Sequence, residues 1–338
     1  MIVKIAVSLI PVFLFLVLLL YLDSLKLVNK PLLGICLVWG LASAFLSFLA
    51  NTFLIRHYHI PFEFYSGFIA PFVEEFLKMT LLFVLIRKNR VGFMIDAAIY
   101  GFGIGSAFAV AENLFYLFHF SGTDSNLMVW ITRGFGTALM HGGTTAIFGI
   151  LTMSALNRRA NLFIAVMMGM LMAVLIHGIY NQFLVSPLIS TLIVVVIVPV
   201  TISLIFQISE KNIRNWLEME FDSEVKLLRM IRKGKFTQTK SGEFLLSIKN
   251  HFHKEVVLDL YCFITLYLEL SIKAKSVMML KENDMAITPD PEIAEKLKEL
   301  KSLQKSIGKS GYLAISPVLR MNREDIWKLA LLAQTSNL

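Results

Sequence analysis

Three glutamates, one lysine and two histidines interrupt stretches that are otherwise apolar: Glu74, Glu75 and Lys78, then Glu112 beside Asn113, then His141, then His177 with Asn181. An ionisable side chain at the centre of a bilayer costs about 2.5–3.5 kcal/mol on insertion scales, so each needs a partner and a reason. Glu74 and Lys78 are four apart and Glu75 and Lys78 three apart, which sets the ammonium on the same helical side as both carboxylates. One lysine neutralises one of them. Two adjacent carboxylates at low dielectric cannot both ionise cheaply, a setting that suits a group taking and returning a proton. Six such side chains converging from four helices would otherwise leave roughly 8 kcal/mol of insertion cost uncompensated, and a functional site accounts for them. Asp96 and Arg133 fall nearer the ends of their stretches and read as side chains snorkelling to the interface. His251 and His253 read as surface residues, and no His-Glu-x-x-His, Walker or Gly-x-Ser-x-Gly motif is present.

Placing these residues requires membrane spans. Of 338 residues 56% are hydrophobic and 17% charged, which excludes a wholly soluble enzyme and a disordered chain, and two cysteines exclude a disulfide scaffold. A spanning helix needs about 20 mainly apolar residues. Seven stretches qualify, near 4–22, 31–55, 62–86, 92–118, 127–156, 161–184 and 187–209, the first read as a span rather than a cleaved leader. Ala97, Gly101, Gly105 and Ala109 recur every four residues on the fourth, and Gly169, Ala173, His177 and Asn181 on the sixth, so small and polar faces coincide where helices approach closely. At about 1.5 Å per residue, Glu75 and His141 lie about 20 Å from the outer ends of their spans and Glu112 and His177 about 10 Å, a layer from which a cavity would open outward. Arg87, Lys88, Arg90, Arg158 and Arg159 mark the inner loops, with Lys26 and Lys30 agreeing, whereas the segment 119–126 carries only Asp124. The N-terminus is therefore expected outside and the tail in the cytoplasm.

Residues 1–209 hold 11 of the 32 Lys+Arg and 7 of the 24 Asp+Glu, so the charge is concentrated in 210–338. The expected fold is an all-α polytopic membrane bundle of about seven transmembrane helices followed by a soluble helical domain over 210–338. Both parts are mildly basic, and no single basic face supports nucleic-acid binding. Within 241–282, Leu245, Ile248, Phe252, Val256, Leu260 and Phe263 recur at threes and fours, as one amphipathic helix requires, and the apolar run 256–272 reads as a buried helix rather than an eighth span. Asp290-Pro291 opens a second helix ending before Gly308, and Asn322 is placed as the cap of a third through Trp327 and Leu331.

Glu74-Glu75-Phe-Leu-Lys78 resembles the EExxK motif of the PrsW family of intramembrane proteases, Phe108-Ala-Val-Ala-Glu112 resembles its FxxxE motif, and His141 and His177 match its two later histidines. The resemblance covers roughly residues 30–185. PrsW is similar to the wider superfamily of CAAX-processing endoproteases, whose His-x-x-x-Asn element resembles His177-Gly-Ile-Tyr-Asn181. The resemblance implies a multi-pass protein of a bacterial cell membrane, a protease-like domain over 1–209 and hydrolysis of a peptide bond in a membrane-anchored substrate such as an anti-sigma factor. It implies that Glu74 activates water, that Lys78 holds Glu75, that His177 and Asn181 donate to the oxyanion and that His141 completes a proton relay. Glu112 stands where the CAAX enzymes carry histidine, leaving it as second base or ligand. A metal route stays open, because two histidines and a glutamate are a ligand set for catalytic zinc, here His141, His177 and Glu112 with another Glu as base. The superfamily resemblance favours a metal-free glutamate mechanism. A proton-coupled carrier and a non-catalytic membrane scaffold are the competing classes; no internal repeat of the kind many carriers show is present.

Overall fold

The computed structural model describes residues 2–120, 126–182, 184–288, 290–319 and 323–335. Its regular structure is all helical among the described residues. The chain divides into two compact units, Met1–Glu210 and Lys211–Leu338. The expected cap Asn322 and the loop residue Asp124 lie outside the described residues.

The first unit is built from α1 (Ile2–Leu22), α2 (Lys30–Tyr58), α3 (Phe62–Phe64), α4 (Ala70–Arg87), α5 (Met94–Phe120), α6 (Leu127–Ile131), α7 (Ala138–Asn157), α8 (Leu162–Asn181) and the first part of α9 (Pro187–Arg232). Asn29 and Asn161 open α2 and α8 by accepting from the backbone N–H of Leu32 (2.9 Å) and Phe163 (2.8 Å), which satisfies donors that a helix start leaves unpaired. Asp96 does the same work for α5. It is fully buried and accepts from the N–H groups of Gly92 and Phe93 at 2.8 Å each, so it does not snorkel to an interface as expected.

Among the described residues six helices are long and apolar enough to cross a membrane: Ile2–Leu22, Lys30–Tyr58, Met94–His119, Leu127–Asn157, Leu162–Asn181 and Pro187–Arg232. The remaining expected span is α4, whose apolar run is broken by Glu74, Glu75, Lys78 and Arg87. Its charges are tolerated because Glu75 and Lys78 are fully enclosed by the other helices. Large apolar side chains such as Val38, Phe45, Leu171, Val196 and Leu204 are exposed on α2, α8 and α9, the surface that hydrocarbon solvates. The helix that carries the seventh expected span, α9, continues past 209 to Arg232.

Two of the expected spans are not uniform helices. The third is α3, a π-helical turn Tyr65–Ile69 and α4, and the fifth is α6, a π-helical turn Thr132–Thr137 and α7. Pro71 supplies no N–H to the turn before it, and the N–H of Ala70 reaches back five residues to the Tyr65 carbonyl. The second turn uses Gly134, where an added Cβ would lie 2.0 Å from the carbonyl oxygen of Val7 in α1.

Helices α5 and α7 form the centre, and backbone contact between them is what the small residues permit. A Cβ on Gly101 would stand 2.5 Å from the Thr145 carbonyl oxygen, and one on Gly105 would stand 2.1 Å from that of His141. We expect Gly105→Ala to lower stability by about 1–3 kcal/mol, the usual cost of overpacking, and to displace His141. Thermal unfolding in detergent checks this against Gly34→Ala, whose Cβ would meet nothing within 4 Å.

The second unit has its own core, with Phe263, Ile264, Tyr267, Ala274 and Val277 of α11 (Lys254–Glu282) packed among Leu245 of α10 (Lys240–Ile248), Ile293, Ile307 and Ile315 of α12 (Glu292–Leu319) and Leu332 of α13 (Arg323–Thr335). The run 256–272 is therefore a core helix. The single amphipathic helix expected over 241–282 is two, because a 3-10 turn at Lys249–His251 and an extended Phe252 (φ −128°, ψ 151°) separate them. Within α12 the helical backbone breaks at Gly308, whose φ of 64° suits a residue without a Cβ. Trp327 and Leu331 are buried as the amphipathic pattern requires.

Candidate active site

Five helices and both π-helical turns bring their polar side chains to one place. Lys78 and Glu75, three apart on α4, form a fully buried ion pair between Nζ and Oε1. The same oxygen accepts from Thr144 Oγ1 on α7 at 3.1 Å and from His177 Nδ1 on α8 at 2.8 Å. An oxygen that accepts from three donors belongs to an ionised carboxylate whose position is fixed. The Lys78 ammonium also lies 3.1 Å from His141 Nδ1 and 4.8 Å from the centre of the Phe108 ring.

The histidine tautomers follow from these partners. Lysine only donates, so Nδ1 of a neutral His141 accepts and its proton sits on Nε2, which is 2.8 Å from Glu112 Oε2. Glu112 Oε1 in turn lies 3.1 Å from a terminal nitrogen of Arg133. That guanidinium donates through Nε to Asn113 Oδ1 at 3.1 Å and covers the Tyr116 ring at 3.8 Å. Arg133 thus belongs to the cluster and does not snorkel to an interface as expected. It neutralises Glu112 from a turn whose backbone departs from the α-helical course. For a neutral His177 the proton is on Nδ1, facing Glu75, which leaves the Nε2 lone pair directed toward Glu74 Oε2 at 3.8 Å.

Three glutamates thus meet two fixed cations. Glu75 pairs with Lys78 and Glu112 with Arg133, whereas Glu74 has no Lys or Arg within 4 Å among the described residues. Its hydrogen bond is to Asn51 of α2, whose Nδ2 donates to Oε1 at 3.2 Å, and Asn51 Oδ1 accepts from the Tyr65 hydroxyl at 2.7 Å.

Glu74, Glu75, Lys78, Glu112, His141 and His177 are all brought together. Asn181 is not among them, since its Nδ2 donates to the Ser66 carbonyl at 3.1 Å and ties α8 to the first π-helical turn. Sequence reasoning passed over Asn51, Tyr65 and Thr144, and read Arg133 otherwise. A polar or charged residue inside an apolar stretch was the available signal for Asn51 and Arg133, while nothing marks one threonine or tyrosine among many.

The metal-ligand group that the geometry assembles also differs from the expected one. One ligand atom each from Glu74, His141 and His177 lie within 4.8 Å of one another. Glu112, bound to His141 and Arg133, is not part of that group. A glutamate and two histidines suit zinc. At His177 the hydrogen bond from Nδ1 to a carboxylate is the outer-shell arrangement of zinc-binding histidines. His141 would have to exchange one of its bonds to Lys78 or Glu112 for the ion.

A helical membrane bundle enclosing ionised carboxylates, a lysine and two histidines is the architecture of intramembrane hydrolases and of proton-coupled carriers. The comparison with protein families separates the two: the PrsW family intramembrane metalloprotease matches residues 29–204, more than half of the chain, and the chain belongs to that family. Neither the curated proteins nor the solved structures compared with it gave a match. The first unit therefore carries an intramembrane protease domain in a multi-pass membrane protein.

Proposed function

We propose that the protein hydrolyses a peptide bond of a membrane-anchored protein, such as an anti-sigma factor, with Glu74 as general base. The observation that carries this is the charge balance: Glu75 and Glu112 each have a lysine or arginine partner, and Glu74 has none among the described residues. A base must exchange its proton in each turnover, and a carboxylate locked by three donors is poorly suited to that. Glu74 Oε2 and His177 Nε2, 3.8 Å apart, are two acceptors that can share the hydrogens of one water. In the step we envisage, Glu74 takes one proton from that water as its oxygen attacks the carbonyl carbon. The proton then passes to the departing amine nitrogen as the C–N bond breaks, giving a new carboxyl and a new amino terminus. The roles implied for His177 and Asn181 as oxyanion donors are not carried forward, because the donors in question already serve Glu75 and Ser66. His141, held between Lys78 and Glu112, keeps the two ion pairs in one electrostatic unit.

A metal ion is what the family description implies, Glu74, His141 and His177 are the residues that would hold it, and that donor set suits zinc. It would supply a polarised carbonyl and a more acidic water. Both nitrogens of His141 being engaged supports the metal-free route for this chain. The test is cleavage of single-span reporter proteins by purified enzyme with and without a strong chelator, with metal content measured. We expect an unchanged rate and no stoichiometric zinc. Activity lost in chelator and restored by zinc would make Glu74 a ligand instead of the base.

The distribution of Lys and Arg supports an orientation with the N-terminus outside and 210–338 in the cytoplasm. In that orientation the proposed site lies in the outer half of the bundle. The second unit is proposed as a cytoplasmic helical domain appended to the protease.

A further inference from the structure

We infer that Asn51 and Tyr65 form a positioning pair that sets which oxygen of Glu74 faces the reacting water. This deepens the assignment of Glu74 as base and rests on it. The two residues come from different elements, α2 and the π-helical turn Tyr65–Ile69, and neither belongs to a recognised motif. Tyr65 is buried, and its hydroxyl donates to Asn51 Oδ1 at 2.7 Å. An ionised Glu74 can only accept, so the amide must present its NH2 to that carboxylate and its oxygen to a donor. The tyrosine is that donor, and it fixes an amide that could otherwise turn over.

With Nδ2 placed on Oε1 at 3.2 Å, the second oxygen, Oε2, is the one left facing His177 Nε2. The hydrogen bond from Asn51 is the one that Glu74 accepts among the described residues, so losing it frees the carboxylate to rotate away from the water. Carboxylates without a cation are held by hydrogen bonds or not at all. The π-helical turn has a part in this, since it is the turn that carries Tyr65, whose hydroxyl reaches Asn51, and Asn181 of α8 ties that turn in place through the Ser66 carbonyl.

The experiment compares wild type with Glu74→Gln, Asn51→Leu, Tyr65→Phe and the Asn51→Leu/Tyr65→Phe double variant, each purified in lipid. Infrared difference spectra between acid and neutral pH are recorded, together with cleavage of a single-span reporter. The carboxyl band that disappears in Glu74→Gln is expected to shift in both Asn51→Leu and Tyr65→Phe. The kcat should fall about 10- to 100-fold in Asn51→Leu and less in Tyr65→Phe, with KM within about twofold, because positioning acts on the chemical step. The double variant should be no slower than Asn51→Leu, since both changes break one link. An unmoved band, an effect confined to KM, or multiplying effects in the double variant would overturn the pair. Full activity in Glu74→Gln would instead overturn the assignment of the base itself, so the two failures are distinguishable. Tyr65→Phe and Asn51→Leu keep side-chain volume, and a retained unfolding midpoint excludes loss of fold as the cause.

Discussion

Glu74→Gln should reduce cleavage by about 10²- to 10⁴-fold, the contribution of a positioned general base, while leaving the fold intact. The asymmetry is the informative part. Glu74 has no cation partner among the described residues, so an uncharged isostere strands no buried lysine or arginine. The amide of glutamine can still accept from Asn51 through its oxygen. Purified Glu74→Gln should therefore unfold at a temperature close to that of wild type. Cleavage assays and thermal melts on the same preparation check both halves. A Glu74→Gln variant that cleaves at the wild-type rate would remove this residue from the chemistry.

Lys78→Met should have the opposite profile, with loss of stability as large as the loss of activity. Lys78 and Glu75 are both fully buried, and the pair sits between His141, Thr144 and His177. Removing one partner of a buried pair typically costs about 3–5 kcal/mol, because the charge that remains has no counterion. The double variant Lys78→Met/Glu75→Gln should recover part of that stability without recovering activity, since neither charge is then left alone. Unfolding by denaturant in mixed micelles measures the cycle. If Lys78→Met alone is as stable as wild type, the ion pair is not what holds α4 against α7 and α8, and Glu75 would have to be neutral in the native protein.

The membrane bundle was legible because composition reports it directly: a run of about 20 apolar residues has few structural options in water or in lipid. The small faces of α5 and α8 were legible for a related reason. Gly101 and Gly105 stand where a Cβ would collide with the α7 backbone, and only close helix contact requires that spacing. Periodicity was a poorer guide at interruptions. It joined Leu245 to Phe263 as one helix and missed the turn at Lys249–His251, because a break of this kind leaves the apolar spacing on both sides almost unchanged. The π-helical turns were invisible for the same reason: one extra residue per turn hardly alters an apolar pattern.

Within the site, the sequence by itself determined that Glu74, Glu75, Lys78, Glu112, His141 and His177 lie inside apolar stretches, in what order, and that Lys78 shares a helical side with both Glu74 and Glu75. It could not choose between the two glutamates, since positions three and four apart are both neighbours on a helix. Tertiary structure made that choice, because Thr144 and His177, from two other helices, also donate to Glu75 and make it the ionised partner. It likewise turned Arg133 onto Glu112, gave the Asn181 amide to the Ser66 carbonyl and left Glu74 to Asn51. The physical reason is common to all four. In a medium without water a buried charge or amide is assigned by whichever donors or acceptors the neighbouring helices bring within about 3 Å, and that distance is not written in the spacing along any one of them.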